Sequence, residues 1–176
     1  WCLAHQSMLV RVFGTVAAFM VTSGAFVGFI VKYAVPDKPS KSTRAVNRAA
    51  ASCPTIPSLS VLDRLPPQTI FTFIDLGPRL ITVTHHSAVA GPYHRNGDAI
   101  LDVQHAFSRS ADDFRAIAKR HGATLLLTCP NMAESTVYTV RYKNGFYARL
   151  AKGETPAWLT PVALPKNSPL KLWRIN

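Results

Sequence analysis

The chain has 176 residues, of which 48% are apolar and only 16% charged, and its 20 Lys+Arg against 9 Asp+Glu give a net charge of +11. That length admits one ordinary domain or a membrane segment with a smaller domain, and excludes a long repeat array. The apolar content excludes a wholly disordered chain, and the basic excess on so few charges departs from an ordinary cytosolic enzyme.

The chain opens Trp1-Cys2-Leu3-Ala4-His5 and enters an apolar stretch within a few residues, which reads as a piece of a longer protein. Between Arg11 and Lys32 no residue from Val12 to Val31 is charged. As a helix that stretch would extend roughly 30 Å, the thickness of a hydrocarbon core, so a transmembrane helix is expected over 12–31 within residues 1–35. Small residues recur through it, and Gly24-x-x-x-Gly28 is a pair that lets helices approach closely. Upstream helices of the same protein are its expected partners. Lys32, Lys38, Lys41, Arg44 and Arg48 after the span favour a cytoplasmic C-terminal part by local charge count.

Residues 36–68 read as a linker and Pro-rich extended segment. Val35 to Ser42 carries two prolines and no periodicity, Thr43 to Ser52 suits a short helix, and Leu59, Leu62 and Leu65 recur every third residue among Pro54, Pro57, Pro66 and Pro67. A soluble α/β domain is expected over 69–176. Thr69–Ile74 and Leu80–Thr84 are β-branched and read as strands around an Asp75-Leu76-Gly77-Pro78 turn. A polar loop runs from His85 to Gly97, followed by a helix over Asp98–Phe107. Ser110, with Asp113 three residues on, caps a second helix that ends at Gly122. Leu125-Leu126-Leu127 suits a central strand buried on both faces. Thr136–Tyr142 and Phe146–Leu150 read as a hairpin across Asn144-Gly145, and Leu170–Ile175 as a last strand. The fold class is therefore α/β: one N-terminal transmembrane helix, then a small domain with a mixed sheet.

Chemistry concentrates in one loop. His85, His86 and His94 are three of the six histidines, and Tyr93, Arg95 and Asn96 lie beside them, after a strand and before a helix, where open α/β sheets place ligand crevices. Imidazole, phenol, guanidinium and amide together suit a phosphate, a carboxylate or sugar hydroxyls, with Asp75 able to orient one histidine. The bland alternative is a loop that braces its own backbone. No His-x-x-x-His or Cys-x-x-Cys spacing occurs, so neither metal nor cofactor is expected, and Ser87 lacks the setting of a catalytic nucleophile. The basic residues are scattered, with Lys119-Arg120 the one adjacent pair, which argues against nucleic acid and leaves anionic lipid as a partner. Cys53 and Cys129 each precede a proline, and either a disulfide or two buried thiols fits that placement.

Taken together, Leu59–Pro67, Ile74–Pro78, Thr84–Ser87, Gly91–Asn96 and Cys129-Pro130 resemble the C-terminal, membrane-external region of polytopic alphaproteobacterial proteins similar to GT-C-type glycosyltransferases. The resemblance covers about 120 residues from Cys53 onward, Pro92-Tyr93-His94-Arg95-Asn96 being its most specific part. It implies a bacterial inner-membrane protein with a periplasmic domain, against the local charge count. It also implies a Cys53–Cys129 disulfide and a role for the loop in binding a glycan or a polyprenyl-phosphate-linked sugar. The family keeps its catalytic acids on an early loop, and no acidic residue precedes Asp37, so the resemblance places any catalytic part upstream. A non-enzymatic anchored binding or assembly module is the competing reading.

Overall fold

The computed structural model describes residues 7–34 and 39–176, so the Trp1–His5 opening and the Val35–Lys38 part of the expected linker lie outside the described residues. The chain divides into two compact units, Trp1–Lys41 and Ser42–Asn176.

In the first unit, helix α1 (Met8–Thr22) and helix α2 (Ala25–Ala34) are separated at Ser23-Gly24. This corrects the expected transmembrane helix over 12–31: among the described residues no helix is long and apolar enough to cross a membrane. The 15 residues of α1 extend about 22 Å, short of a hydrocarbon core of roughly 30 Å. The cause is local. Gly24 has φ +72°, a left-handed conformation that interrupts the helical ladder and that glycine adopts without steric penalty. The Thr22 hydroxyl bonds back to the Ala18 carbonyl at 2.8 Å, a pattern that bends helix ends. A hydropathy window registers neither effect, and the glycine read as a helix-packing residue serves as a break.

The second unit is a mixed α/β domain, as the pattern of elements led us to expect. Helix α3 (Lys41–Ser52) leads to a short helix α4 (Ile56–Leu59) and a 3-10 turn over Ser60–Arg64. The triplet spacing of Leu59, Leu62 and Leu65 thus belongs to tight helical turns of three residues, not to an extended chain, and it buries Leu59 and Leu62 completely. Strand β1 (Thr69–Phe71), helix α5 (Gly77–Val83) and strand β2 (Ser87–Ala88) follow. Helices α6 (Gly97–Ser108) and α7 (Ala111–Arg120) then carry the chain to β3 (Leu125–Thr128), whose four residues are all buried. Helices α8 (Ala133–Arg141) and α9 (Phe146–Ala151) precede strands β4 (Leu159–Val162) and β5 (Lys171–Ile175).

The sheet order is β2-β1-β3-β5-β4. β1 pairs in parallel with both β2 and β3, whereas β5 runs antiparallel to β3 and β4 antiparallel to β5. Phe107 of α6 organises the core, its ring meeting those of Phe71, Phe73, Phe114, Tyr138 and Tyr147 at centroid distances of 5.1 to 5.8 Å. The Ser110 cap forms as expected: its hydroxyl accepts the Asp113 N–H at 3.1 Å while Asp113 accepts the Ser110 N–H at 3.2 Å.

Three expected strands are helices. Residues 80–84 fall largely in α5, where Pro78 occupies the first turn and needs no N–H partner. Residues 136–142 and 146–150 form α8 and α9. The β-branched side chains that suggested strands, Val137 and Val140, are exposed, while burial falls on Ser135 and Tyr138 at helical spacing. Gly145 is no hairpin residue. A Cβ there would sit 2.5 Å from the Ser108 carbonyl oxygen, and the neighbouring Phe146 N–H donates to the Arg109 carbonyl at 2.6 Å, so α9 begins pressed against the end of α6. Strand β4 escaped the sequence reading. It contains Pro161 at the sheet edge, the place in a sheet that tolerates a missing donor.

Candidate binding cleft

From β1 the chain turns through α5 to β2 on one side, and from β2 it returns through α6 and α7 to β3 on the other side of β1. The connections therefore part between the carboxyl ends of β1 and β3, the switch point at which open α/β sheets leave a crevice. A cleft of about 470 Å³ opens beyond those ends, lined by Asp75 after β1, Gln104 of α6, and Glu134, Tyr138, Arg141 and Tyr142 on and just after α8.

Each side of the cleft is built by a short turn. After β1 the Leu76 and Gly77 N–H groups both close onto the Phe73 carbonyl at 3.1 Å, which turns Asp75 outward. After β3 the chain passes Cys129, Pro130 and Asn131, the last at φ 67°, and enters α8. Glu134 in the first turn of α8 joins the two sides. One carboxylate oxygen accepts the Asp75 N–H at 3.0 Å and the other accepts the Tyr138 hydroxyl at 3.0 Å. Burial pushes the Glu134 carboxyl above its ordinary value, opposed by the N–H groups of Asp75 and Ile74 and by the Tyr138 hydroxyl, and the Asp75 charge adds to the rise. Burial, then the Glu134 charge, pushes the Tyr138 phenol strongly upward, so it stays a neutral donor. Tyr142 shows about half of its surface at the rim, its ring 6.4 Å from that of Tyr138.

The sequence-expected residues divide in the structure. Asp75 lines this cleft and, among the described residues, meets no histidine; the acid beside His85 is Asp63, 3.3 Å from Nδ1, with the Leu65 carbonyl 2.8 Å from Nε2. His86 is buried, its Nδ1 accepting the Gln68 N–H at 3.2 Å and its Nε2 donating to the Leu62 carbonyl at 2.9 Å. Ligand atoms of Asp63, His85 and His86 come within 4.8 Å of one another, but both ring nitrogens of His86 are taken by backbone, so this trio fits a brace for residues 62–68 better than a metal seat. Tyr93, His94 and Arg95 are exposed and Asn96 is half-buried before α6. They follow β2, and because β2 is parallel to β1 they lie on the same carboxyl edge of the sheet as the cleft.

Sequence reading missed Gln104, Glu134, Tyr138, Arg141 and Tyr142, because four of these five fell on or beside a segment read as a strand. The signal was present in Glu134-x-x-x-Tyr138, a spacing that brings two side chains together on one helical face. Behind the cleft, Cys53 and Cys129 are joined in a disulfide, their Cα atoms 6.3 Å apart and both residues wholly buried.

No family model matches the chain, and no curated protein matches it. Among solved structures it is similar to the C-terminal globular domain of an oligosaccharyltransferase from Archaeoglobus fulgidus, with a TM-score of 0.47 and 11% identity over 79% of this chain and 99% of that one.

Proposed function

We propose that the Ser42–Asn176 unit is a binding domain that holds a glycan outside the cytoplasm, in the service of a glycosyltransferase of the GT-C type. The observation that carries the proposal is the cleft at the carboxyl ends of β1 and β3. Its lining combines carboxylates, an amide, a phenol hydroxyl and a guanidinium with the exposed Tyr142 ring. Sugar hydroxyls both donate and accept, and a pyranose presents an apolar face to an aromatic ring, so this mixture of groups matches a saccharide. The resemblance of the Leu59–Pro67 and Gly91–Asn96 segments to GT-C-type proteins supports a glycan over other polyhydroxy ligands. The buried disulfide supports the compartment, because such bonds persist in oxidising surroundings and are rare in the cytosol.

In this reading Tyr93, His94, Arg95 and Asn96 extend the binding edge beyond the cleft, and His85 and His86 hold the base of their loop. Titration of the isotopically labelled full chain with trisaccharides tests it. Millimolar oligosaccharide is expected to shift the resonances of Gln104, Glu134 and Tyr142 in a saturable way. Shifts confined to other surfaces, or none with any trisaccharide, would refute the proposal.

A further inference from the structure

Helix α1 leaves its bulky side chains uncovered. Met8, Leu9, Phe13, Phe19 and Val21 each show two thirds or more of their surface, and no residue of the helix is buried. At about 100° per residue, the bulky apolar residues from Met8 to Val21 sweep an arc of about 220°. The remaining seam gathers Arg11, Thr15, Ala18 and Thr22 at helical spacing, with Gly14 beside them. It holds the one charge of α1 and both of its hydroxyls, which donate to the Arg11 and Ala18 carbonyls. A helix that packs on a protein core needs an apolar stripe only about half as wide. An arc of this breadth fits a medium that meets the helix from below and from both flanks.

Charge identifies the medium. From Trp1 to Leu62 six Lys and Arg stand against a single acid, Asp37, whereas from Asp63 onward fourteen stand against eight. Three of the six, Lys41, Arg44 and Arg48, recur at i, i+3 and i+7 on α3, a helix that contains no acid. All three are exposed and, among the described residues, none has an ion-pair partner. Lys32 and Tyr33, residue types that settle at a lipid–water boundary, are exposed near the end of α2, and α3 begins seven residues beyond that end.

We propose that α1 and the basic stripe of α3 bind the surface of a bilayer rich in anionic lipid. Helix α1 lies in the boundary between head groups and acyl chains, its apolar arc towards the chains and its Arg11–Thr22 seam towards water, and it does not cross. Lys41, Arg44 and Arg48 meet lipid phosphates. Adsorption of this kind draws on buried apolar area and on the attraction of cations to anionic head groups, and these two helices supply one term each. The surface shares no residue with the cleft, so its test stands apart from glycan binding.

Flotation of the full chain compares vesicles of phosphatidylcholine with vesicles in which about one third is phosphatidylglycerol. At low salt the anionic vesicles are expected to bind at least about ten-fold more tightly. Arg44→Gln with Arg48→Gln should remove most of that difference, and Phe13→Ser with Phe19→Ser should weaken binding to both vesicles on the order of ten-fold. Depth is read with a polarity-sensitive dye on single cysteines in a Cys2→Ser chain. Emission should be apolar for Phe13→Cys, Val16→Cys and Met20→Cys, and water-like for Thr15→Cys and Thr22→Cys. Equal binding to both vesicles, no binding to either, or apolar emission at all five positions would overturn the proposal. So would a stable dimer that forms without lipid, persists with vesicles and is dissociated by Phe13→Ser with Phe19→Ser, for a second copy would then cover the arc.

Discussion

Replacing both Cys53 and Cys129 with alanine should cost the second unit a large share of its stability. The bond closes a loop with a sequence separation of 76 residues. Under the chain-entropy account of cross-links, a loop of that length restricts the unfolded chain by about 4.5 kcal/mol at 25 °C. Native domains stand only about 5–15 kcal/mol above unfolding, so the double variant should be marginal at 37 °C, its melting temperature lower on the order of 15 °C. Urea unfolding of the oxidised chain beside the double variant, with slopes compared as well as midpoints, gives the difference directly. A second observable follows from burial. Both residues are wholly buried, so reductant should reach the sulfurs only when the domain opens, and the native bond should survive dithiothreitol until urea is added. A loss below about 1 kcal/mol, or rapid reduction of the folded chain, would refute the reasoning and remove the main support for an oxidising compartment.

Two further outcomes bear on the core and the cleft. Phe107→Ala removes a ring that touches five others and should destabilise the unit by about 3–5 kcal/mol in urea unfolding; a change under about 1 kcal/mol would mean that the aromatic cluster repacks freely. Glu134 sets a pH dependence of known sign. Its carboxyl takes up a proton more readily in the folded chain than the ordinary value of 4.5 implies, so its contribution favours folding below that value and is lost as pH rises through the raised one. Unfolding free energies measured against pH should therefore fall more steeply above pH 4.5 for the parent chain than for Glu134→Gln, and parallel curves would contradict the assigned burial.

Where local chemistry and tertiary context agree, the elements were legible from residue order alone. The Ser110–Asp113 cap, the Leu125–Leu127 central strand and the Gly97–Ser108 helix are such places, each with a reciprocal bond, an unbroken apolar run or a buried face at helical spacing. The errors gathered where β-branched residues stand on helices. Ile81 and Thr82 in α5, and Val137, Thr139 and Val140 in α8, favour strands by propensity, and packing of Leu80 and Tyr138 into the core overrides that preference. The transmembrane expectation failed on a single torsion, the left-handed Gly24, which no hydropathy sum can register.

The cleft was not legible in the sequence. Asp75 was singled out only as a partner for a histidine, the strand order that makes a switch point comes from the structure, and the groups beside Asp75 arrive from α8, 59 residues later in the case of Glu134. The histidine loop drew attention because its groups are reactive in type. The structure gives His85 and His86 backbone carbonyls and N–H groups to hold, which is work that residue type alone does not reveal.

The bond between Cys53 and Cys129 also divides the domain mechanically. Everything that makes the parallel half of the sheet, from β1 through α5, β2, α6 and α7 to β3, lies inside the covalent ring, while α8, α9, β4 and β5 lie outside it. Tension carried along the chain passes from Cys53 to Cys129 through sulfur and leaves the enclosed stretch unloaded. One wall of the cleft, with Asp75 and Gln104, is inside that shielded loop, and the other, with Glu134 and Tyr138, is on the segment that would peel first. A pull on this protein would therefore open the cleft before it disturbed the parallel strands.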